Sequence, residues 1–267
     1  MANYYQKKPK ARFLIPLVVI LLIVSVLMFS CSVFMSRRTR YVIDESTLKL
    51  AQLEEPKAGD TVAVIKTSLG DISVRLYPEY APNTVENFIS LAEKDYYDNT
   101  LVYNIISGTA FQAGTSEKSG VVPADSGTNE KIEMEYSQDL WPFRGALYAV
   151  TSEVESGVIK TFMNTAKRYG GSRFGICNTI EMDDELKESL VSGSDETQKM
   201  IGEKFVELGG IPNYSQQMTI FGQVYEGFDV LDAITGADCE AETNYNGYTL
   251  PKEDILILDV VVTKYSE

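Results

Sequence analysis

The sequence predicts a mainly β domain of barrel type, carried behind an apolar N-terminal segment. Short apolar runs separated by glycine-containing loops point to many short strands, and an alternating pattern at the start of the domain points to a hairpin. Helical spacing, by contrast, is confined to a few stretches. The first strands follow from Val62, Val64 and Lys66, then Ile72, Val74 and Leu76, on either side of Leu69-Gly70, because side chains two apart share one strand face. Pro82 opens a helix in which Val85, Phe88, Ile89 and Ala92 recur at i, i+3, i+4 and i+7, a stripe suited to covering one end of a sheet. Further strands are expected at Leu101–Ile106, Gly145–Val150, Phe174–Cys177 and Thr219–Val224. A second helix is expected over Val230–Ile234 and a last strand over Ile255–Val262, with Pro251 just outside it. The charged stretch Asp183-Asp184-Glu185-Leu186-Lys187-Glu188 reads as part of a helical surface insertion at about 180–209.

Residues 13–35 contain no charged side chain. As a helix rising about 1.5 Å per residue they cover roughly the 30 Å of a bilayer interior, so they are expected to form a single-pass transmembrane anchor. A cleaved signal peptide and a buried core helix are the competing readings. The run exceeds the usual signal core and no Ala-x-Ala site follows it, while Ser25, Ser30 and Ser32 form no amphipathic stripe. Four basic residues precede the run (Lys7, Lys8, Lys10, Arg12) and three follow it (Arg37, Arg38, Arg40), so charge alone hardly orients it. The short basic arm, residues 1–12, is assigned to the cytoplasm, which puts the C-terminal domain outside the cell membrane. Residues 36–60 read as a stalk and 61–267 as the domain.

The chain of 267 residues carries a formal charge of −14 and no histidine. Its first 40 residues hold seven basic and no acidic side chains, leaving 17 basic against 38 acidic groups in residues 41–267, a net of −21. That balance argues against nucleic acid as a partner and for a solvated acidic surface. Cys177 and Cys239 are the only cysteines beyond the apolar segment, and the sequence leaves open whether they bridge.

Several segments, taken in order, resemble the cyclophilins: Gly70-Asp71-Ile72, the run Tyr77 to Phe88 (Tyr-Pro-Glu-Tyr-Ala-Pro-Asn-Thr-Val-Glu-Asn-Phe), Ile105-Ile106, Gln112, Arg144-Gly145-Ala146-Leu147, Gly171-Ser172 and Phe221-Gly222-Gln223-Val224. Glu226 to Asp232 and Pro251 to Ile255 continue the likeness, which spans essentially all of 61–267. The resemblance implies a closed, eight-stranded antiparallel barrel capped by two helices, with an outer groove for X-Pro segments of proline-containing polypeptides. It implies peptidyl-prolyl cis-trans isomerase activity assisting protein folding, with neither cofactor nor metal. The chemistry is rotation about an amide with a barrier of about 18–20 kcal/mol. No bond is broken, so the missing histidine does not exclude it. A donor aimed at the prolyl nitrogen helps because that nitrogen regains a lone pair as it pyramidalises.

The chain departs from the family within the groove. Where cyclophilins carry Phe-His-Arg, the Arg being the donor, it reads Val102-Tyr103-Asn104. Thr109 and Ala110 stand where large pocket walls are usual, while Gln112 keeps the family glutamine. Gln-Phe-Phe becomes Arg173-Phe174-Gly175, and the Trp-Leu-Asp-Gly-x-His stretch becomes Asn213 to Met218. The candidate catalytic residues are therefore Asn104, Gln112 and Arg173. The candidate substrate-binding residues are Val102, Thr109, Ala110, Thr151, Phe174, Gly175, Asn213 and Met218. Weakened isomerase activity is expected, with a catalytically silent peptide-binding module as the alternative.

Overall fold

A computed structural model describes residues 43–124, 126–155, 157, 166–192, 195–244 and 246–266. The basic arm and the anchor expected over 13–35 lie outside them. Among the described residues no helix is long and apolar enough to cross a membrane.

Among the described residues, ten strands form one antiparallel sheet: β1 (Thr61–Thr67), β2 (Gly70–Leu76), β3 (Thr100–Leu101), β4 (Asn104–Ile106), β5 (Ala110–Ala113), β6 (Ile132–Glu133), β7 (Ala146–Val154), β8 (Arg168–Cys177), β9 (Ile220–Glu226) and β10 (Leu256–Lys264). Their order is β3-β10-β1-β2-β9-β7-β8-β5-β4, with β6 attached to β8. The expected closed eight-stranded barrel is thus corrected to an open, curled sheet. The reason is a bend at Val102-Tyr103. The Val102 amide donates to Ile255 O at 2.9 Å and the next amide, of Tyr103, donates to Gln112 O at 3.0 Å. One stretch of chain therefore turns from laddering with β10 to laddering with β5, and at the break the isolated bridge of Leu101 with Thr115 stands in place of a continuous ladder.

The predicted hairpin is β1–β2, with Thr67 opposite Gly70 across a two-residue turn. At Gly70, φ is +135° and a Cβ would approach Val230 Cγ2 to 2.7 Å, so both backbone shape and packing call for glycine. The sheet curls around a core that includes Ile65, Ile72, Phe88, Phe111, Phe174 and Phe221. Phe88 meets Tyr97, Phe174 and Phe221 at ring-centroid distances of 5.1, 5.7 and 5.4 Å. Four α-helices are described: α1 (Pro82–Ala92), α2 (Asp184–Val191), α3 (Glu196–Leu208) and α4 (Phe228–Thr235). The helix α1 lies on β8 and β10, and α4 on β2, β4 and β5.

Pro82 starts α1 as expected, but the residue before it, Ala81, has no side-chain oxygen to cap the helix. Glu135 does so from a distant loop. Its Oε1 accepts from the Asn83 amide at 3.1 Å, and its Oε2 accepts from the Thr84 amide at 2.9 Å and the Thr84 hydroxyl at 2.7 Å. A carboxylate there satisfies free helix N–H groups and opposes the positive end of the helix dipole. Glu135→Ala is therefore expected to lower stability by about 1–2 kcal/mol in urea unfolding, while Glu135→Gln retains part of the capping.

Helices α2 and α3 are each capped by an aspartate: Asp183 accepts from Leu186 N at 2.8 Å and Asp195 from Gln198 N at 3.0 Å. Ile201 and Phe205 of α3 pack with Leu50, Trp141 and Phe143 in a separate apolar cluster. Part of the stretch expected as a stalk is thus laid onto the domain. Gln52 is buried, accepting from Trp141 N and donating to Gln223 Oε1 at 2.7 Å, and Asp60 pairs with Arg75 at 2.9 Å. Both described cysteines are free thiols, and burial pushes the Cys177 thiol up, so it stays protonated and unreactive.

Candidate functional site

Strand alternation decides which residues reach the outer face of the sheet. On β8, Phe174 points inward to the core, whereas Arg173 and Gly175 face out. On β4 and β5, Asn104 lies directly opposite Gln112 in the ladder, and Gln112 lies opposite Gly175. Gly175 in turn lies opposite Tyr148 of β7.

These positions carry a directional row of hydrogen bonds. The Thr249 amide donates to Asn104 Oδ1 at 3.0 Å, Asn104 Nδ2 donates to Gln112 Oε1 at 3.2 Å, and Gln112 Nε2 donates to the Tyr148 hydroxyl at 3.2 Å. Asn104 and Tyr148 are buried, and burial pushes the Tyr148 phenol well up, so it is uncharged at any physiological pH. Each carboxamide nitrogen has a second hydrogen beyond the one engaged in the row. The row borders an open cavity of about 710 Å³ lined by Asn104, Gln112, Tyr214, Tyr248 and Thr249 among others, with no lysine or arginine in its lining.

Arg173 is elsewhere. Its guanidinium donates to Gly120 O at 2.9 Å and Thr151 O at 3.1 Å, and its buried Nε has no hydrogen-bond partner. It lines a second cavity of about 460 Å³ with Gly120, Glu130, Thr151 and Tyr248. Arg173 and Thr151 are thus brought together, apart from the row of Asn104 and Gln112.

The other candidates divide by location. Val102 and Phe174 belong to the interior core, and Phe174 is fixed edge-on against Phe88 and Tyr97. Ala110 is buried beside Tyr148 and Cys177 in a cluster on the outer face, with Met218 and Tyr214 packed against it. Thr109 closes the β4–β5 turn, donating to Ser107 O at 3.2 Å, and Asn213 is exposed in the short 3-10 turn Pro212–Tyr214. None of these six lines either cavity.

Sequence reasoning missed Tyr148, Tyr214, Tyr248 and Thr249. For Tyr148 a signal existed: a glycine at 175 leaves space on a close-packed face, and a neighbouring strand has to fill it. A Cβ on Gly175 would collide with Tyr148 Cζ and lie 2.5 Å from its hydroxyl oxygen and 2.7 Å from Phe111 O. The Tyr148 ring meets Tyr214 edge-on at 6.1 Å. For Tyr248 and Thr249, on an irregular loop, no periodic pattern existed to read.

Comparison with known proteins agrees with this architecture. The family model described as cyclophilin type peptidyl-prolyl cis-trans isomerase/CLD matches residues 62–262. A protein of Streptococcus pyogenes serotype M6, described as a bifunctional phosphatase/peptidyl-prolyl cis-trans isomerase, is 31% identical over 220 residues. That match covers 82% of this chain but only 42% of the longer relative. A Staphylococcus saprophyticus protein described as a peptidyl-prolyl cis-trans isomerase is 28% identical, covering 75% of this chain and 91% of its own length. Among solved structures, a cyclophilin type isomerase of Cryptosporidium parvum superposes with a TM-score of 0.53 at 20% identity, covering 78% of this chain and 99% of that one. The same protein crystallised in the presence of the dipeptide Ala-Pro gives a TM-score of 0.51. The family-model match over residues 62–262 shows that the chain belongs to the cyclophilin-type peptidyl-prolyl cis-trans isomerase family.

Proposed function

We propose that this domain is a slow prolyl isomerase acting on proline-containing segments of proteins outside the membrane, to which residues 13–35 anchor it. The observation that carries the reading is the row Asn104–Gln112–Tyr148 beside the 710 Å³ cavity. Its carboxamides still offer N–H groups to a docked backbone and to the prolyl nitrogen. Being neutral, they are roughly half as strong as charged donors, and loss of a preorganised donor costs on the order of 10²–10³ in rate. Localisation rests on the uncharged run over 13–35 and its basic flanks, and the substrate class on the family and on a structural relative crystallised in the presence of Ala-Pro.

A second reading, a peptide-binding module without turnover, is favoured by two observations. No cation lines the cavity beside Asn104, and Asn104 Nδ2 already donates one hydrogen to Gln112 Oε1. Exchange NMR on an Ala-Pro peptide separates the two. The full-length chain is expected to speed cis-trans exchange, and Gln112→Ala to reduce that acceleration at least about tenfold with the fold unchanged. Peptide binding with exchange no faster than in buffer would establish the module instead.

A further inference from the structure

The two cavities share one side chain, Tyr248. On one side lies the Asn104–Gln112 row; on the other lie Arg173 and Glu130, each with a buried polar atom lacking a partner. Resting on the reading of the groove as a site for proline-containing peptides, we propose that Tyr248 is the specificity-determining residue of that groove. It forms the partition that limits the size of the side chain accepted next to the proline.

Tyr248 is held in place from several directions. Its ring meets Tyr103 edge-on at 5.1 Å, and its edge presses so close to Gly120 that a Cβ there would collide with Cε2. Asn244 shapes the turn that presents it: Asn244 N donates to Tyr248 O at 2.8 Å, and Tyr248 N donates to Asn244 Oδ1 at 3.0 Å. The turn is tied across to the facing loop, where Asn244 Nδ2 donates to Lys118 O at 2.9 Å and Asn246 Nδ2 to Ser119 O at 2.6 Å. Next to it, Thr249 O accepts from Ile105 N at 2.8 Å. The partition therefore stands on a loop bonded to both banks, with its ring half-buried against Tyr103.

A fixed ring excludes larger neighbours by collision, the form of selectivity that a pocket achieves without new attraction. Deleting it joins a cavity of about 460 Å³ to one of about 710 Å³. The test compares binding of Ala-Ala-Pro-Ala and Ala-Trp-Pro-Ala peptides to the full-length chain, to Tyr248→Ala and to Tyr248→Phe. Wild type and Tyr248→Phe are expected to prefer the alanine peptide, and Tyr248→Ala to shift the ratio toward the tryptophan peptide at least about tenfold. Equal ratios in all three, with both peptides bound, overturn the partition while leaving the groove reading intact. Failure of the wild-type chain to bind either peptide overturns both.

Discussion

Gly175→Phe, the change that would restore the aromatic most cyclophilins carry at this position, is expected to destabilise the domain rather than repair it. The space is already taken: the Tyr148 ring reaches across from β7 to where a side chain at 175 would start. Overpacking of this kind costs about 1–3 kcal/mol, and a phenylalanine belongs at the upper end because even its Cβ meets Tyr148 Cζ and the hydroxyl oxygen. Tyr148→Ser in the same chain should recover most of the loss by vacating the site. Recovery stays incomplete, since the 2.7 Å approach to Phe111 O is to backbone and requires β5 and β8 to separate slightly. Urea midpoints of the two single variants and the double variant give the coupling directly. Additive effects would show that the two positions do not share one volume.

That exchange also shows what the sequence could reveal. Strands and capping helices were legible because burial imposes periods of two and 3.6: the β1–β2 hairpin, α1 from Pro82 and the final strand all fall where the apolar pattern puts them. Features set by contacts far apart in sequence were not. The Glu135 cap on α1, the packing of Gln52 onto Trp141, and the pairing of Val102 with Ile255 beside the bend each depend on partners far away in the sequence. At the candidate site, Asn104 and Gln112 were singled out because they occupy matching places in a recognised order, and the ladder sets them opposite each other. Arg173 was singled out as a catalytic candidate as well, but its terminal nitrogens serve Gly120 O and Thr151 O beside the other cavity. Phe174 was misjudged for a simpler reason: adjacent strand residues face opposite ways, so a candidate set running through 173, 174 and 175 could not all face the groove.

Asn104→Arg is expected to raise the rate of prolyl isomerisation by about tenfold to a hundredfold. A guanidinium there would bring a charged donor to a cavity whose lining has none, and charge-assisted hydrogen bonds are roughly twice as strong as neutral ones. The gain stays below the 10²–10³ carried by a preorganised donor, because the surrounding residues are not arranged to hold an arginine still. The change has a cost, too. It removes the acceptor of the Thr249 amide and the donor to Gln112 Oε1, which together lower stability by about 1–3 kcal/mol and loosen the loop carrying Tyr248. Exchange NMR and urea unfolding on the same sample separate the two effects. A rate rise with peptide affinity maintained identifies a groove that is shaped for isomerisation and short of one cation. An unchanged rate in a folded variant that still binds peptide means that the Tyr148-filled surface no longer admits the twisted proline, and the domain is then a binding module whose ancestral chemistry cannot be recovered at position 104 alone.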